Sequence, residues 1–277
     1  MAKGGRDPER SLVAFTVLVQ AGAGLCIARA CARLLGGPRE AAHVSTQLAL
    51  VLLVLGAIAA WLHLARRGAA RFALSNLRFS WLSREVLLGL TLSLLTALLI
   101  VFDRVGPAPA ALVFAMGLLA VSFVHAITRI YRLRTVPAWD TWRTPAAFFL
   151  TGLLLGGAFH ALMMVAAGTH RVDELRRLCL VVAALALVQV FLFALHQHRL
   201  RRGGGVAAES ASRVARHRGL FAARIVLGSS GAALFLAFFV CESGPGDLVL
   251  LAACLILLLA ELQDRTLFYV SHGRVGL

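Results

Sequence analysis

The chain has 277 residues, of which 60% are apolar and only 15% are charged, and its mean hydropathy is +0.83. Soluble domains contain about 45–50% apolar residues, so this composition excludes an ordinary soluble protein and predicts one that crosses a membrane several times. The formal net charge of +15 would favour a nucleic-acid partner in a soluble chain. Here the basic residues lie between apolar runs, where they set membrane topology instead.

Eight apolar runs are long enough to cross a bilayer as α-helices, which takes about 20 residues each. No alternating pattern of a β-barrel is present, and the seven prolines lie in loops or at helix starts. The sequence therefore predicts an all-α polytopic membrane protein, one domain over 1–277. The runs cover approximately residues 11–36, 44–65, 84–102, 108–131, 145–167, 175–198, 219–241 and 246–268.

The basic residues are unevenly divided between the two ends of this predicted bundle. With eight helices, 21 of the 28 lysines and arginines share the side of both termini and of the loops after helices two, four and six. The positive-inside rule then predicts that both termini are cytoplasmic. On the other side, Arg29 and Arg33 are expected to extend toward the lipid headgroups.

The most informative segment is residues 63–86, HLARRGAARFALSNLRFSWLSREV, between the second and third runs. His63 ends one helix, Glu85 begins the next, and five arginines lie between them, of which Arg78 and Arg84 are near enough to pair with Glu85. A histidine and a carboxylate at the membrane edge suit a group that exchanges protons and electrons. The structural alternatives are a His63 bond to a backbone carbonyl and helix-dipole stabilisation of Glu85.

Two histidines within apolar runs, His125 and His160, raise the hypothesis of a b-type haem. At 1.5 Å per residue, His125 lies roughly 9 Å and His160 roughly 22 Å from the cytoplasmic edge, which argues against one haem held between them. His63 with His125 is better matched in depth, so a haem stays an open alternative to the haem-free expectation. The five cysteines show no CxxC and no zinc spacing, and no iron–sulfur cluster is expected in this chain.

The remaining loops on the cytoplasmic side indicate a docking platform for a soluble partner. The segment 132–145, RLRTVPAWDTWRTP, carries aromatic rings that suit either an aromatic belt or a binding surface. The segment 196–219 is basic and glycine-bearing and is predicted to be a mobile loop. Near the C-terminus, Glu261 and Arg265 have a spacing that allows an ion pair. Neither interrupted helices nor a repeat is evident, which argues against a secondary transporter.

Three motifs in order, HL…ALSNLRFSWLSRE, YRLRTVPAWDTWRTPAAFFLTG and EL..R.LFY…RVG, resemble the anchor subunit of the dimethyl sulfoxide reductase family from about residue 12 onward. The related anchor of the cytoplasmic sulfite-oxidising molybdoenzyme is similar as well. The resemblance implies a haem-free eight-helix protein that binds a quinone. It also implies that the protein holds a molybdopterin catalytic subunit through a ferredoxin-like iron–sulfur subunit.

By this resemblance His63 matches the family's quinone-site histidine and Glu85 a carboxylate of the same site. The other residues expected at the site of ubiquinone or menaquinone are Arg71, Arg78, Arg84 and Trp81. Those expected to dock the partner are Arg132, Arg134, Pro137, Trp139 and Trp142. The sequence departs from the family pattern HLG.P.RA at Ala65, Arg67 and Ala69, and Asp264 replaces a usual glycine before Arg265.

The expected function is a quinone-reactive anchor in the bacterial cytoplasmic membrane, part of an oxidoreductase but not catalytic alone. It would pass electrons between the quinone pool and the iron–sulfur partner. The cytoplasmic docking face favours a sulfite:quinone oxidoreductase. The alternative is the anchor of a dimethyl sulfoxide or related reductase that oxidises menaquinol. A purely structural anchor or a transporter are the other classes.

Overall fold

The computed structural model describes residues 10–63, 72–168, 171–240 and 247–272, without the side chain of His63. All regular secondary structure in these residues is helical, which confirms the all-α class. Within the described residues there are nine helices: α1 (Arg10–Leu34), α2 (Arg39–His63), α3 (Trp81–Val105), α4 (Ala110–Tyr131), α5 (Arg143–Ala166), α6 (Val172–Arg202), α7 (Val206–Arg216), α8 (Arg218–Val240) and α9 (Asp247–Val270).

Seven of these helices, α1 to α6 and α8, are long and apolar enough to cross a membrane by length and composition. They correspond to the first seven predicted runs. The eighth run corresponds to α9, which is apolar in its first half. Its second half carries three charged residues that are all buried in the protein: Glu261, Asp264 and Arg265. The chain is therefore a helical, polytopic membrane protein.

The prediction of a mobile loop after the sixth run is wrong. Helix α6 continues to Arg202, and after a turn at Gly205, whose φ of 58° lies in the left-handed region, the backbone forms α7. Helix α7 buries Ser210, Ala211 and Val214 against the bundle. The three- and four-residue spacing of these positions is typical of an amphipathic helix, but the many nearby arginines made the segment look like a polar loop.

Helices α1 and α5 form the centre of the bundle because small residues let their backbones approach. A Cβ atom on Gly24 would lie 1.8 Å from the carbonyl oxygen of Gly152, and one on Gly156 would lie 2.2 Å from the carbonyl carbon of Gly24. Gly152 and Gly156 are four residues apart, a spacing that supports close helix crossings in membranes. Helix α1 also contacts α2 and α4, and α5 contacts α6 and α9, so this crossing joins the two halves of the bundle.

Replacing Gly156 by leucine should destabilise the protein, because no rotamer can avoid the α1 backbone and the two helices must separate. Overpacking costs typically about 1–3 kcal/mol, and contact with backbone places this site at or above the upper end. The thermal unfolding midpoint of the purified protein in detergent measures the effect. The control is Gly219→Ala in α8, where a Cβ meets nothing within 4 Å. Equal midpoints for the two variants would contradict the proposed close crossing.

Candidate functional site

The segment before α3 is folded into turns that hold its backbone at the end of the bundle. The Ser80 hydroxyl caps α3 by accepting a hydrogen bond from the Ser83 amide at 3.2 Å. The Arg84 guanidinium turns back and donates to the carbonyl oxygens of Leu77 at 3.0 Å and Arg78 at 2.7 Å. Arg84 therefore fixes the loop to the helix. Its guanidinium binds these carbonyl groups and does not form the pair with Glu85 that the sequence had predicted.

Glu85, one turn into α3, is a buried carboxylate with an unsatisfied oxygen. The residue is 5% exposed, and its Oε1 has no hydrogen-bond partner among the described residues. An isolated ionised carboxylate away from water is costly, so a buried unpaired one calls for a proton or a ligand. Glu85 is therefore a candidate proton-exchanging group.

Trp81 lies one turn before Glu85 at the start of α3, and its ring forms cation–π contacts with two arginines. The guanidinium carbon of Arg84 is 4.3 Å and that of Arg129 is 5.0 Å from the ring centroid. His125 meets the same indole edge-on at a centroid distance of 5.8 Å. The sequence pointed to Trp81 and Arg84 but missed Arg129, although its i,i+4 spacing from His125 puts both on one face of α4.

Of the other residues expected at this site, Arg78 is among the described residues, whereas Arg71 and the side chain of His63 are not. Arg78 is exposed, with its guanidinium carbon 5.3 Å from the centroid of the Phe79 ring, and it does not pair with Glu85. The side chain of His63 and the whole of Arg71 lie outside the described residues. Helix α2 ends at His63 and α3 begins at Trp81. Because His43 of α2 lies 3.6 Å from Asp103 of α3 near the other ends of these helices, His63 and Trp81 lie at the same end of the bundle.

Trp139, expected on a docking surface, is instead buried within the protein. Its Nε1 donates a hydrogen bond to the Phe268 carbonyl at 2.8 Å, and its ring stacks on that of Phe268 with centroids 4.9 Å apart. Trp139 is 7% exposed, so it fixes the α4–α5 loop to the end of α9 rather than facing a partner. Of the remaining expected docking residues, Pro137 is partly exposed and Arg132, Arg134 and Trp142 are exposed.

A buried ionic network lies deeper in the bundle. Arg224 of α8 donates to Glu261 at 2.9 Å, and its Nε lies 3.6 Å from Asp264. Arg143 of α5 donates to Asp264 at 2.9 Å. Arg265 donates to Gln20 of α1 at 2.8 Å. The predicted Glu261–Arg265 pair is thus replaced by pairs between helices.

Glu261 has more partners than any other carboxylate near the site. Besides Arg224, its Oε2 accepts hydrogen bonds from the Thr151 hydroxyl at 2.6 Å and the Gln189 amide at 3.0 Å. Every one of these side chains is buried. The sequence contained a signal for this network, since Arg224 and Glu261 are charges within apolar runs, but spacing along one helix could not name the partner on another.

The two remaining intramembrane candidates have structural partners. His160 is buried, and its Nδ1 is 2.7 Å from the Ser45 hydroxyl across the α2–α5 contact. Arg29 is buried and forms a bidentate pair with Asp103 at 2.7 and 2.9 Å, so the expectation that it extends to the headgroups is wrong. Among the described residues, no group of three or more histidine, cysteine or acidic side chains could hold a metal ion.

Comparison with known proteins places the chain in a family. Residues 2–270 match the model of the DMSO reductase anchor subunit (DmsC). The sequence is 31% identical to an anaerobic dimethyl sulfoxide reductase subunit of Escherichia coli K12, over 97% of this chain and 96% of that protein. It is 29% identical to a second such subunit of the same organism, YnfH, over 82% of this chain and 81% of that one. An anaerobic dimethyl sulfoxide reductase subunit of Haemophilus influenzae is 26% identical, with 97% and 96% covered.

Replacing Asp264 by asparagine should destabilise the protein, because Arg143 and Arg224 would keep their buried charges and lose a shared carboxylate. Removing one partner of a buried ion pair costs about 3–5 kcal/mol. The shift of the thermal unfolding midpoint in detergent measures the effect. The control is Glu209→Gln, which breaks the exposed pair with Arg213 and should cost below about 1 kcal/mol. An Asp264→Asn loss no larger than the control's would show that the network is not stabilising.

Proposed function

The chain belongs to the family of DMSO reductase anchor subunits, the membrane anchors of molybdenum oxidoreductases, and we propose that it is the quinone-reactive anchor of such a complex. In this proposal the protein lies in the bacterial cytoplasmic membrane with eight spans and both termini on one side. It passes electrons between the quinone pool and a ferredoxin-like iron–sulfur subunit, which in turn serves a molybdopterin catalytic subunit.

The observation that carries the proposal is the unpaired oxygen of buried Glu85 at the end of the bundle where the 63–86 segment begins and ends. A bound quinone would supply two-electron, two-proton redox chemistry at this point. A carboxylate that is shielded from water but has a free oxygen can give or take a proton there. The unpaired Glu85 oxygen therefore supports a group that exchanges protons, as a quinone does.

Each nearby side chain has a proposed task. His63, at the end of α2, would hydrogen-bond one quinone carbonyl, since an imidazole can both donate and accept near neutral pH. Glu85 would relay protons between that site and the cytoplasmic surface. Trp81, held between the guanidinium groups of Arg84 and Arg129, would form an apolar wall beside the quinone ring. Arg71 and Arg78 would add positive potential at the entrance.

The iron–sulfur partner is proposed to dock on the same end of the bundle. Arg132, Arg134 and Trp142 are exposed there, and Trp139 beneath them holds their loop in place through Phe268. Helix α7 gives this end a further ordered surface. Since electrons tunnel efficiently only over short distances, a partner docked over this loop would bring its nearest cluster close to Glu85.

The proposed substrate of the catalytic partner is either sulfite or dimethyl sulfoxide, and a different observation favours each. The excess of basic residues at the docking end favours a cytoplasmic partner and thus a sulfite:quinone oxidoreductase. The relatives that belong to dimethyl sulfoxide reductases favour a reductase fed by menaquinol. Orientation of the protein in the membrane distinguishes a cytoplasmic from an exported partner.

Replacing Glu85 by glutamine should lower quinol-dependent electron transfer by about 10²-fold or more, which is the lower range for losing a general acid–base group. The assay uses the whole complex, with quinol-coupled turnover measured beside dye-coupled turnover of the catalytic subunit. Dye-coupled turnover and subunit co-purification should be unchanged. Asp173→Asn, an exposed acid at the start of α6, is the control. His63→Ala is measured in parallel. If both variants keep full quinol-coupled turnover, the protein is a structural anchor without a quinone site.

The orientation is measured with a membrane-impermeant thiol reagent on spheroplasts and inverted vesicles. Cys31 is exposed at the end opposite Glu85, whereas Cys26, Cys179 and Cys254 are buried. In a Cys241→Ser background, Cys31 should react in spheroplasts and not in inverted vesicles if the docking face is cytoplasmic. A Cys31→Ser/Ala208→Cys variant, with its thiol on α7, should give the reverse. The opposite pattern would place the docking face outside and favour the exported reductase.

A further inference from the structure

A cavity of about 480 Å³ lies at the end of the bundle opposite Glu85. It is formed where α1 and α3 end and α2 and α4 begin. The proposed quinone chemistry makes no use of it. Its lining is unusual for the end of a helical hairpin because four arginines face one space: Arg29, Arg33, Arg39 and Arg104.

The positive charge of this cavity is only partly neutralised by the protein. Arg29 is buried and bound by Asp103 in a bidentate pair. Arg33, Arg39 and Arg104 are exposed, and none of the three forms an ion pair with another residue in the described part of the protein. The only other acidic side chain in the lining is that of Glu40. Three arginines with one carboxylate leave a site that attracts an anion.

A second observation concerns His43, which lies on the cavity wall. Its Nδ1 is buried and has no hydrogen-bond partner within the described residues, and it lies 3.6 Å from Asp103. Its Nε2 is 3.0 Å from the Gln47 amide nitrogen. His43 therefore lies against the Arg29–Asp103 pair at the cavity wall and brings no negative charge to the cavity.

The surface beside the cavity has the character of a lipid contact. Val105, which lines the cavity at the end of α3, is 83% exposed, and Leu34 and Leu35, which directly follow the lining residue Arg33 in the chain, are 70% and 82% exposed. Apolar side chains this exposed, next to arginines at the ends of membrane-crossing helices, match the boundary between headgroups and acyl chains. Arginine binds phosphate oxygens through a planar fork of N–H groups.

We propose that this cavity binds the phosphate group of an anionic phospholipid from the leaflet opposite the Glu85 end. The phosphate lies among Arg33, Arg39 and Arg104, and the acyl chains run past Leu34, Leu35 and Val105. The lipid ties the α1–α2 hairpin to the α3–α4 hairpin. Because it binds only the folded protein, it raises the stability of the fold. The site does not depend on the quinone function or on the membrane orientation.

The test compares lipid binding to the full-length protein in detergent by native mass spectrometry, with phosphatidylglycerol and phosphatidylcholine titrated separately. Phosphatidylglycerol should bind more tightly. The double variant Arg33→Gln/Arg104→Gln should weaken it by about 20-fold, since each surface arginine contributes about a factor of five toward an anionic headgroup. The matched control is Arg177→Gln, an exposed arginine at the same end that does not line the cavity. It should change affinity less than twofold.

A thermal unfolding measurement accompanies the binding assay, so that a folding defect is not mistaken for lost binding. The double variant should have the wild-type midpoint without lipid and should lose only the increase that phosphatidylglycerol gives. Equal affinity for both lipids, or equal losses in the double variant and the control, would overturn the proposal. Inorganic phosphate at millimolar concentration is added as a separate arm. Displacement of the lipid by it would assign the site to a free anion rather than to a headgroup.

Discussion

The buried ion pairs between α8, α9 and α5 are the constraint on which much of this structure depends. A charge in an apolar interior is tolerated only with a partner, and Arg224 meets both Glu261 and Asp264 while Arg143 binds Asp264 from α5. These contacts fix the rotation of three helices at once. The end of α9 is thereby placed where Trp139 can bind the Phe268 carbonyl, and this hydrogen bond fastens the proposed docking loop.

Glu85 and Glu261, the two buried glutamates among the described residues, show how one residue type serves two purposes. Glu261 has an arginine, a hydroxyl and an amide as partners, so both of its carboxylate oxygens are satisfied within the protein. Glu85 is similarly buried but has an oxygen that no described residue satisfies. Both oxygens of the Glu261 carboxylate have partners, whereas one oxygen of the Glu85 carboxylate has none among the described residues. This difference supports the proposed role of Glu85.

Asp264 is a member of the buried ionic network and lies in one of the motifs that resemble the family. The resemblance places a usual glycine at this position, and here the aspartate forms two contacts with buried arginines. The charge of Asp264 is thus compensated by Arg143 and Arg224. At the opposite end of the bundle Arg29 is paired with Asp103, but Arg33, Arg39 and Arg104 of the cavity form no ion pair with a described residue, and that contrast supports the proposed ligand site. The two ends of the molecule therefore present different chemistry to the two membrane surfaces.

The sequence by itself determined the class, the long apolar helices and the family. Apolar runs of helix-spanning length need no knowledge of neighbours, so seven predicted runs match helices long and apolar enough to cross a membrane. The sequence also marked residues 63–86 as a candidate site, because a histidine and Glu85 at helix ends stand out against apolar surroundings. Only the tertiary structure decided which charges meet. Glu261 binds Arg224 on another helix, Arg29 binds Asp103, and Trp139 points inward, because hydropathy and spacing describe one helix at a time and pairing depends on which helices become neighbours.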